Sequence, residues 1–252
     1  MSDRLESVRQ KLDRAREHRE AFHKLAEEWN HKVFGTWPRA FDADSRIYTL
    51  FVNEVPEPDP RLSTILGDCL HNYRSVLDHL AWQLVKHLAI PSGEDPAPDK
   101  KILFPIPDKE TEWNPYPIRG AMADAKDAIH GLQFNHPQGP GFFVLNKLDN
   151  RDKHRTIQLV AHTIAKVGFF NEESLDWAWS IDPGTRIEGG DVIARWKYRA
   201  DTDGEPDIGP YVVVGMEFVE GLADRNHVRP FLDICDFIVR NAMGALAQYI
   251  AP

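Results

Sequence analysis

Cysteine is scarce in this chain. Two residues, Cys69 and Cys235, stand among 252, and both fall inside apolar helical patterns, where a thiol acts as a small hydrophobe. That excludes a disulfide framework and a zinc knuckle. Long apolar runs are missing too. No stretch approaches the roughly 18 residues a membrane-spanning helix needs, and the charged opening Met1-Ser2-Asp3-Arg4-Leu5-Glu6 has no apolar segment behind it. A cytoplasmic protein with no membrane partner is therefore expected. There is no glycine-rich phosphate loop, no nucleophile elbow and no HExxH, so no cofactor is expected. A net excess of positive charge is also absent. The formal net charge is −9, which repels polyanions at long range, so any nucleic-acid contact must come from a local basic patch. What is present is ordinary for a globular protein: 42% hydrophobic and 27% charged residues.

Hydrophobic periodicity organises the chain. Leu5, Val8, Leu12, Ala15, Phe22, Ala26, Trp29 and Val33 recur at helical spacing, with Arg19 interrupting the seam, and predict a helix over 3–34 capped by Asp3 and Glu6. Residues 46–54 are rich in β-branched and aromatic types and predict a strand. Asp59-Pro60 then opens a second helix, with Asp as N-cap and Pro in the first turn. It runs to Ile90, where Pro91-Ser92-Gly93 stops it. A proline-rich loop around Ile102-Leu103-Phe104 and a short helix near 118–131 follow. Residues 142–165 read as helical, interrupted near Asp149-Asn150. Three period-two runs, 175–181, 192–199 and 211–219, predict an antiparallel meander whose alternating Trp177, Trp179 and Trp196 belong to its core. A last helix from Pro230 carries Phe231, Ile234, Cys235, Ile238, Ala242 and Leu246 on one face. The expected fold class is α+β, mainly α. It is a single domain over 1–252, with a helical bundle (1–165 and 228–252) and a small β-meander inserted at about 166–222, before the C-terminal helix.

The second helix carries an unusual polar face. At about 100° per residue, Leu62, Leu66, Cys69, Leu70, Tyr73, Leu77, Leu80 and Leu84 fill the core side. The opposite arc holds Asp68, His71, Asn72, Ser75, Asp78, His79 and Trp82. A solvated face is normally Lys, Glu, Arg and Gln. This one has no Lys or Glu before Lys86, and its Asp, Asn and Ser are poor helix formers. Short polar groups beside two imidazoles point at protein or ligand rather than bulk water. They can relay protons, bind a metal, or hold one another in fixed tautomers. A buried hydrogen-bond network that clamps the helix to its neighbours is the competing reading.

A second constellation is Asn146-Lys147-Leu148-Asp149-Asn150-Arg151-Asp152-Lys153-His154-Arg155. With a helix starting near Asn150 and burying Ile157, Val160, Ala161 and Ile164, the residues Arg151, His154, Arg155, Gln158 and His162 share one flank. Forked guanidinium donors there suit phosphate or carboxylate. Pairing of Arg151 and Arg155 with Asp68 and Asp78 is the structural alternative.

The segments Gly67-Asp68-Cys69-Leu70-His71-Asn72-Tyr73-Arg74-Ser75-Val76-Leu77-Asp78-His79-Leu80-Ala81-Trp82 and Leu148-Asp149-Asn150-Arg151-Asp152-Lys153-His154-Arg155 resemble segments shared by bacterial proteins with no assigned activity. More distantly, Arg74 and His79 on one helix resemble the Arg-to-His spacing of the HEPN superfamily, helical-bundle ribonucleases and toxins. The resemblance implies a metal-independent endoribonuclease acting on RNA as a homo-oligomer. Arg74 would hold the scissile phosphate and His79 would act as acid and base. Asp78, His71 and Asn72 would orient them, and Arg151, His154 and Arg155 would bind substrate. A guanidinium can stabilise developing phosphorane charge, and an imidazole titrates near neutrality. Two other classes stay open. One is a metal-dependent hydrolase using Asp68, His71, Asp78, His79 and His154. The other is a non-catalytic interaction protein whose first helix pairs subunits.

Overall fold

In the computed structural model, residues 4–88, 92–200, 210–218 and 227–250 are described. Asp3, the stop at Pro91 and the 201–209 turn lie outside them. The fold is α+β and mainly α. Its helices are α1 (Glu6–Phe34), α2 (Pro60–Lys86), α3 (Ala123–Phe134), α4 (Pro140–Asp152) and α5 (Val228–Leu246). Its strands are β1 (Arg39–Asp42), β2 (Ile47–Phe51), β3 (Leu159–Phe169), β4 (Leu175–Ser180), β5 (Val192–Tyr198) and β6 (Pro210–Phe218). Among the described residues no helix is long and apolar enough to cross a membrane.

The chain divides into two compact units, Met1–Phe22 with Ser63–Ile157 and Arg229–Pro252, and His23–Leu62 with Gln158–Val228. The second unit therefore includes residues 23–62 as well as the expected insertion.

The first unit is helical. Its core is the apolar stripe of α2: Leu66, Cys69, Leu70, Tyr73, Leu77, Leu80 and Leu84 are fully buried, as are Val8 and Ala15 of α1 and Leu232, Cys235 and Val239 of α5. The interruption of the α1 seam at Arg19 has a partner. Arg16 Nε donates to Asp236 of α5 at 2.9 Å, and Arg19 Nη1 lies 3.6 Å from Asp233. Asp236 is itself buried and also takes Arg240 Nε at 2.7 Å. A buried carboxylate of this kind persists only because guanidinium donors replace the water it has lost.

The second unit holds the strands, all antiparallel. One sheet has the order β1-β2-β5-β4 and the other pairs β3 with β6. The β1–β2 hairpin turns through Arg46, whose φ is 59°, and through Asp42, which accepts the Ser45 hydroxyl at 2.6 Å. Asn30 of α1 brackets β6, donating to the Val212 carbonyl and accepting the Val214 N–H, both at 2.8 Å.

Three expectations need correction. Residues 159–169 are strand β3, not the continuation of a helix, so Gln158 and His162 do not share a helical flank with Arg151, His154 and Arg155. The meander is only a hairpin: β4 and β5 pair, but the third run, β6, pairs with β3. Finally, of the three alternating tryptophans only Trp196 is core, at 1% exposure. Trp177 and Trp179 are each 45% exposed.

Candidate active site on the second helix

Asp59 starts α2 as its residue type predicts, accepting the N–H of Arg61 at 2.9 Å on its side chain. From that start the polar arc divides into two groups with different surroundings.

The first group is Arg74 and Asn72, both buried, with the half-buried Asp78. Arg74 is 7% exposed. Its Nη2 donates to the backbone carbonyl of Phe104 at 2.9 Å and lies 3.0 Å from Asp78 Oδ1. Asp78 Oδ1 in turn accepts the N–H of the same residue, Phe104, at 2.9 Å. One peptide segment of the proline-rich loop is thus held at both its polar groups by two side chains a helical turn apart. Burial pushes the Arg74 guanidinium below its ordinary range, and the charges of Asp78 and Asp149 oppose that. Burial likewise pushes the Asp78 carboxyl up, against the pull of Arg74 and the Phe104 N–H. Asn72 is buried as well and spends its amide on the carbonyl of Asp68, one turn back, at 2.8 Å.

The second group faces outward from a buried base. His71 has 54% of its side chain exposed, and its Nδ1 lies 3.0 Å from Oδ1 of Asp149, which is 1% exposed. Asp149 belongs to α4, where it shares the buried face with Phe142, Leu145 and Leu148. Lys153, one turn on, reaches its other oxygen at 2.7 Å. A buried carboxylate bound to one ring nitrogen fixes the tautomer and orientation of the imidazole and leaves Nε2 for an external proton. Asp152 stands beside this pair. Burial raises its carboxyl first, the charges of Asp68 and Asp149 add to that, and the Ile157 N–H works against it. Gly67 leaves room for the Asp152 carboxylate between α2 and α4, and a methyl group there would force that carboxylate to move.

His79 stands apart from Arg74. It is half-buried, its ring is held below the ordinary imidazole range by burial and by the charge of Lys11, with Asp78 opposing, and among the described residues its side chain makes no hydrogen bond. Arg151 is half-buried in the last turn of α4. His154 and Arg155 are exposed in the turn beyond it, their N–H groups donating to the Arg151 carbonyl at 2.9 Å each. Arg74 and Asp78 are thus brought together, as are His71 and Asp149. Asp78 has Arg74 as an ion-pair partner one helical turn away. Among the described residues no three His, Cys, Asp or Glu side chains group so that they could hold a metal ion. Asp68, His71, Asp78, His79 and His154 accordingly do not form a ligand set.

Asp149 is the residue that the sequence reading left out of the site. Its signal was available: a carboxylate on the same helical face as Leu145 and Leu148 must be paired if that face is buried.

Compared with known proteins, the chain matches no family model, no curated protein and no solved structure.

Proposed function

We propose that the protein is a HEPN-like helical-bundle enzyme that cleaves RNA without a metal, with His71 rather than His79 as its principal acid–base group. The observation that carries this reading is the 3.0 Å contact between the exposed His71 and the buried Asp149. An imidazole tied to a buried carboxylate by one nitrogen and open to solvent by the other is arranged to take a proton. In the proposed step His71 Nε2 removes the proton of a ribose 2′-hydroxyl. The 2′-oxygen forms a bond to the adjacent phosphorus as the bond to the 5′-oxygen breaks, and a second imidazole returns a proton to that leaving oxygen. His154 and His79 are the candidates for the second role. Arg151 and Arg155 supply guanidinium groups for the phosphate, and a second subunit completes the site, as the superfamily resemblance implies. Arg74 supports the site from behind through Asp78 and Phe104.

The test is cleavage of a labelled single-stranded RNA by the wild type and by His71→Ala and Asp149→Asn. Loss of about 100-fold or more in rate with the fold intact is expected for His71→Ala. An unchanged rate in that variant rejects the reading.

A second reading is favoured by the Arg74–Asp78–Phe104 clamp, which is structural in character. In it the protein is a non-catalytic interaction module and the polar arc sets helix register. Absence of cleavage by the wild type, together with a stable dimer in sedimentation, is the result that selects it. The metal-dependent hydrolase is tested by elemental analysis: a stoichiometric metal lost on His71→Ala would restore it.

A further inference from the structure

The four-stranded sheet has one face that is not core. Register fixes which residues share it. Trp179 stands opposite Arg195, which stands opposite Thr49, which stands opposite Ala40 on the outer strand. Trp177 stands opposite Lys197 in the next row. Directly paired residues project to the same side of an antiparallel sheet. The opposite side carries Trp196, Ala194 and Leu50, all buried, with Tyr48 stacked on Trp196 at 5.5 Å.

This open face pairs two aromatic planes with two cations. Trp177 and Trp179 are two residues apart on β4, an outer strand of the sheet, and neither indole has a ring or hydrogen-bond partner among the described residues. Arg195 is exposed and makes no ion pair among the described residues. Lys197 Nζ comes only within 4.0 Å of Asp176, an exposed carboxylate. The Thr49 and Ala40 side chains continuing the Trp179 row are small and leave space over the sheet. Two tryptophans this size left to water forgo a large burial gain, and here flat π surfaces alternate across strands with fixed positive charge. That combination suits stacked bases joined by phosphates. It suits sugar rings less, since their hydroxyls are usually met by amide or carboxylate groups.

We propose that this face binds single-stranded nucleic acid, with successive bases stacked on Trp177 and Trp179 and the connecting phosphates paired with Arg195 and Lys197. The net charge of −9 makes such binding local and strongly dependent on salt. The proposal stands without the cleavage reading, because none of its residues belongs to the His71 site.

The test is fluorescence anisotropy of the full chain with labelled oligouridylate and oligothymidylate of about 12 nucleotides, and with a duplex of equal length. Both single strands are expected to bind more tightly than the duplex, and their ratio distinguishes RNA from DNA. Trp177→Ala with Trp179→Ala weakens binding about tenfold or more. Replacing both by Phe keeps most of the affinity. Arg195→Ala with Lys197→Ala weakens binding and lowers the salt slope by about 1.4, for two lost phosphate contacts. The cleavage proposal is read from the rate of His71→Ala and this one from the affinity of the tryptophan and cation pairs, none of which belongs to the His71 site, so the two proposals fail separately. Absence of single-strand binding by the wild type overturns the inference. So does equal affinity in the double alanine variant with an unaltered circular dichroism spectrum. Tryptophan-dependent binding of an oligosaccharide, or tryptophan-dependent dimerisation without oligonucleotide binding, overturns it too. Should the alanine pair fail to fold, the phenylalanine pair and the Arg195/Lys197 pair decide the matter alone.

Discussion

Arg74 donates to the Phe104 carbonyl at 2.9 Å from a position with almost no access to water. Truncation at such a site strands the partners. Arg74→Ala would leave the Phe104 carbonyl without its donor and Asp78 without its counter-charge, at a cost of about 3–5 kcal/mol. His71→Ala leaves the buried Asp149 with Lys153 as a remaining partner and is expected to cost less, about 1–2 kcal/mol. Urea unfolding of the two variants checks the contrast. Equal, small losses would show that Arg74 is not a structural clamp.

The Gly67–Asp152 approach predicts a change of sign. Alanine in place of glycine inside a helix normally stabilises by roughly 0.5–1 kcal/mol. Here the added methyl meets the Asp152 carboxylate, and displacing that group is expected to make Gly67→Ala destabilising by about 1–2 kcal/mol. In an Asp152→Ala background the same substitution should stabilise. A double-mutant cycle by thermal unfolding measures it, and additive effects would contradict the contact.

Legibility in the sequence followed the strength and regularity of periodic signals. The helices α1, α2 and α5 were readable because their apolar stripes run for many turns without a change of phase, and because Asp59-Pro60 marks a start that backbone chemistry enforces. Strand β3 was misread for a specific reason. Its pairing with β6 shifts register between Val160 and Thr163 and again between Ile164 and Lys166. Each bulge moves the apolar residues off a period of two. Ile157, Val160, Ala161 and Ile164 then fall at helical spacing although the backbone is extended. The β-branched content of 156–167 was the contrary signal. The meander failed in consequence, because β6 pairs with the strand that had gone unrecognised. Trp177 and Trp179 show another limit. Alternation tells which residues share a face of a strand, and says nothing about which face is wet.

At the candidate site the polar arc was visible, but not its division. Helical geometry places Arg74 and Asp78 on one stack. Only the path of the loop through Phe104 decides that they are consumed there, and that path carries no local sequence signature. His71 was visible as an oddity on its helix, whereas its partner Asp149 lies on another helix far along the chain.

Asp236 predicts an acid dependence of stability. Burial pushes its carboxyl up, but the bond from Arg16 and the charges of Arg16, Arg240 and Arg19 outweigh this and hold it below the ordinary value of 3.8. A carboxylate whose folded pKa is depressed contributes stability that is complete above its unfolded value and lost as pH falls through the folded one. The melting temperature of the wild type should therefore drop as pH decreases below 3.8. Asp236→Asn should show a shallower drop there and a lower melting temperature at neutral pH. Parallel curves for the two proteins would refute the assignment.

Both thiols are predicted to be inert in the folded state. Burial raises Cys69 to about 12 and Cys235 well above its ordinary value, and the Cys69 thiol donates to the Ala15 carbonyl at 3.3 Å. The thiolate is the reactive form. Ellman's reagent should detect neither cysteine in native protein and both in guanidinium chloride. Rapid reaction of either one without denaturant would show that the α1–α2–α5 core opens.

The grip of α2 on Phe104 has a bearing on how this sequence can vary. The proline-rich segment is moored at this peptide, reinforced by the stacking of Phe104 on Phe142 at 6.0 Å and by Gln133 donating to the Pro105 carbonyl at 2.9 Å. Its flanks are tied again further out, by Ala97 donating to the Arg119 carbonyl at 2.8 Å and by Trp113 edge-on to Phe134 at 6.5 Å, so a change of length or a protease nick is tolerated only in the exposed residues between these ties. A family built on this plan would show its insertions and deletions on the two flanks of position 104 and almost none across it.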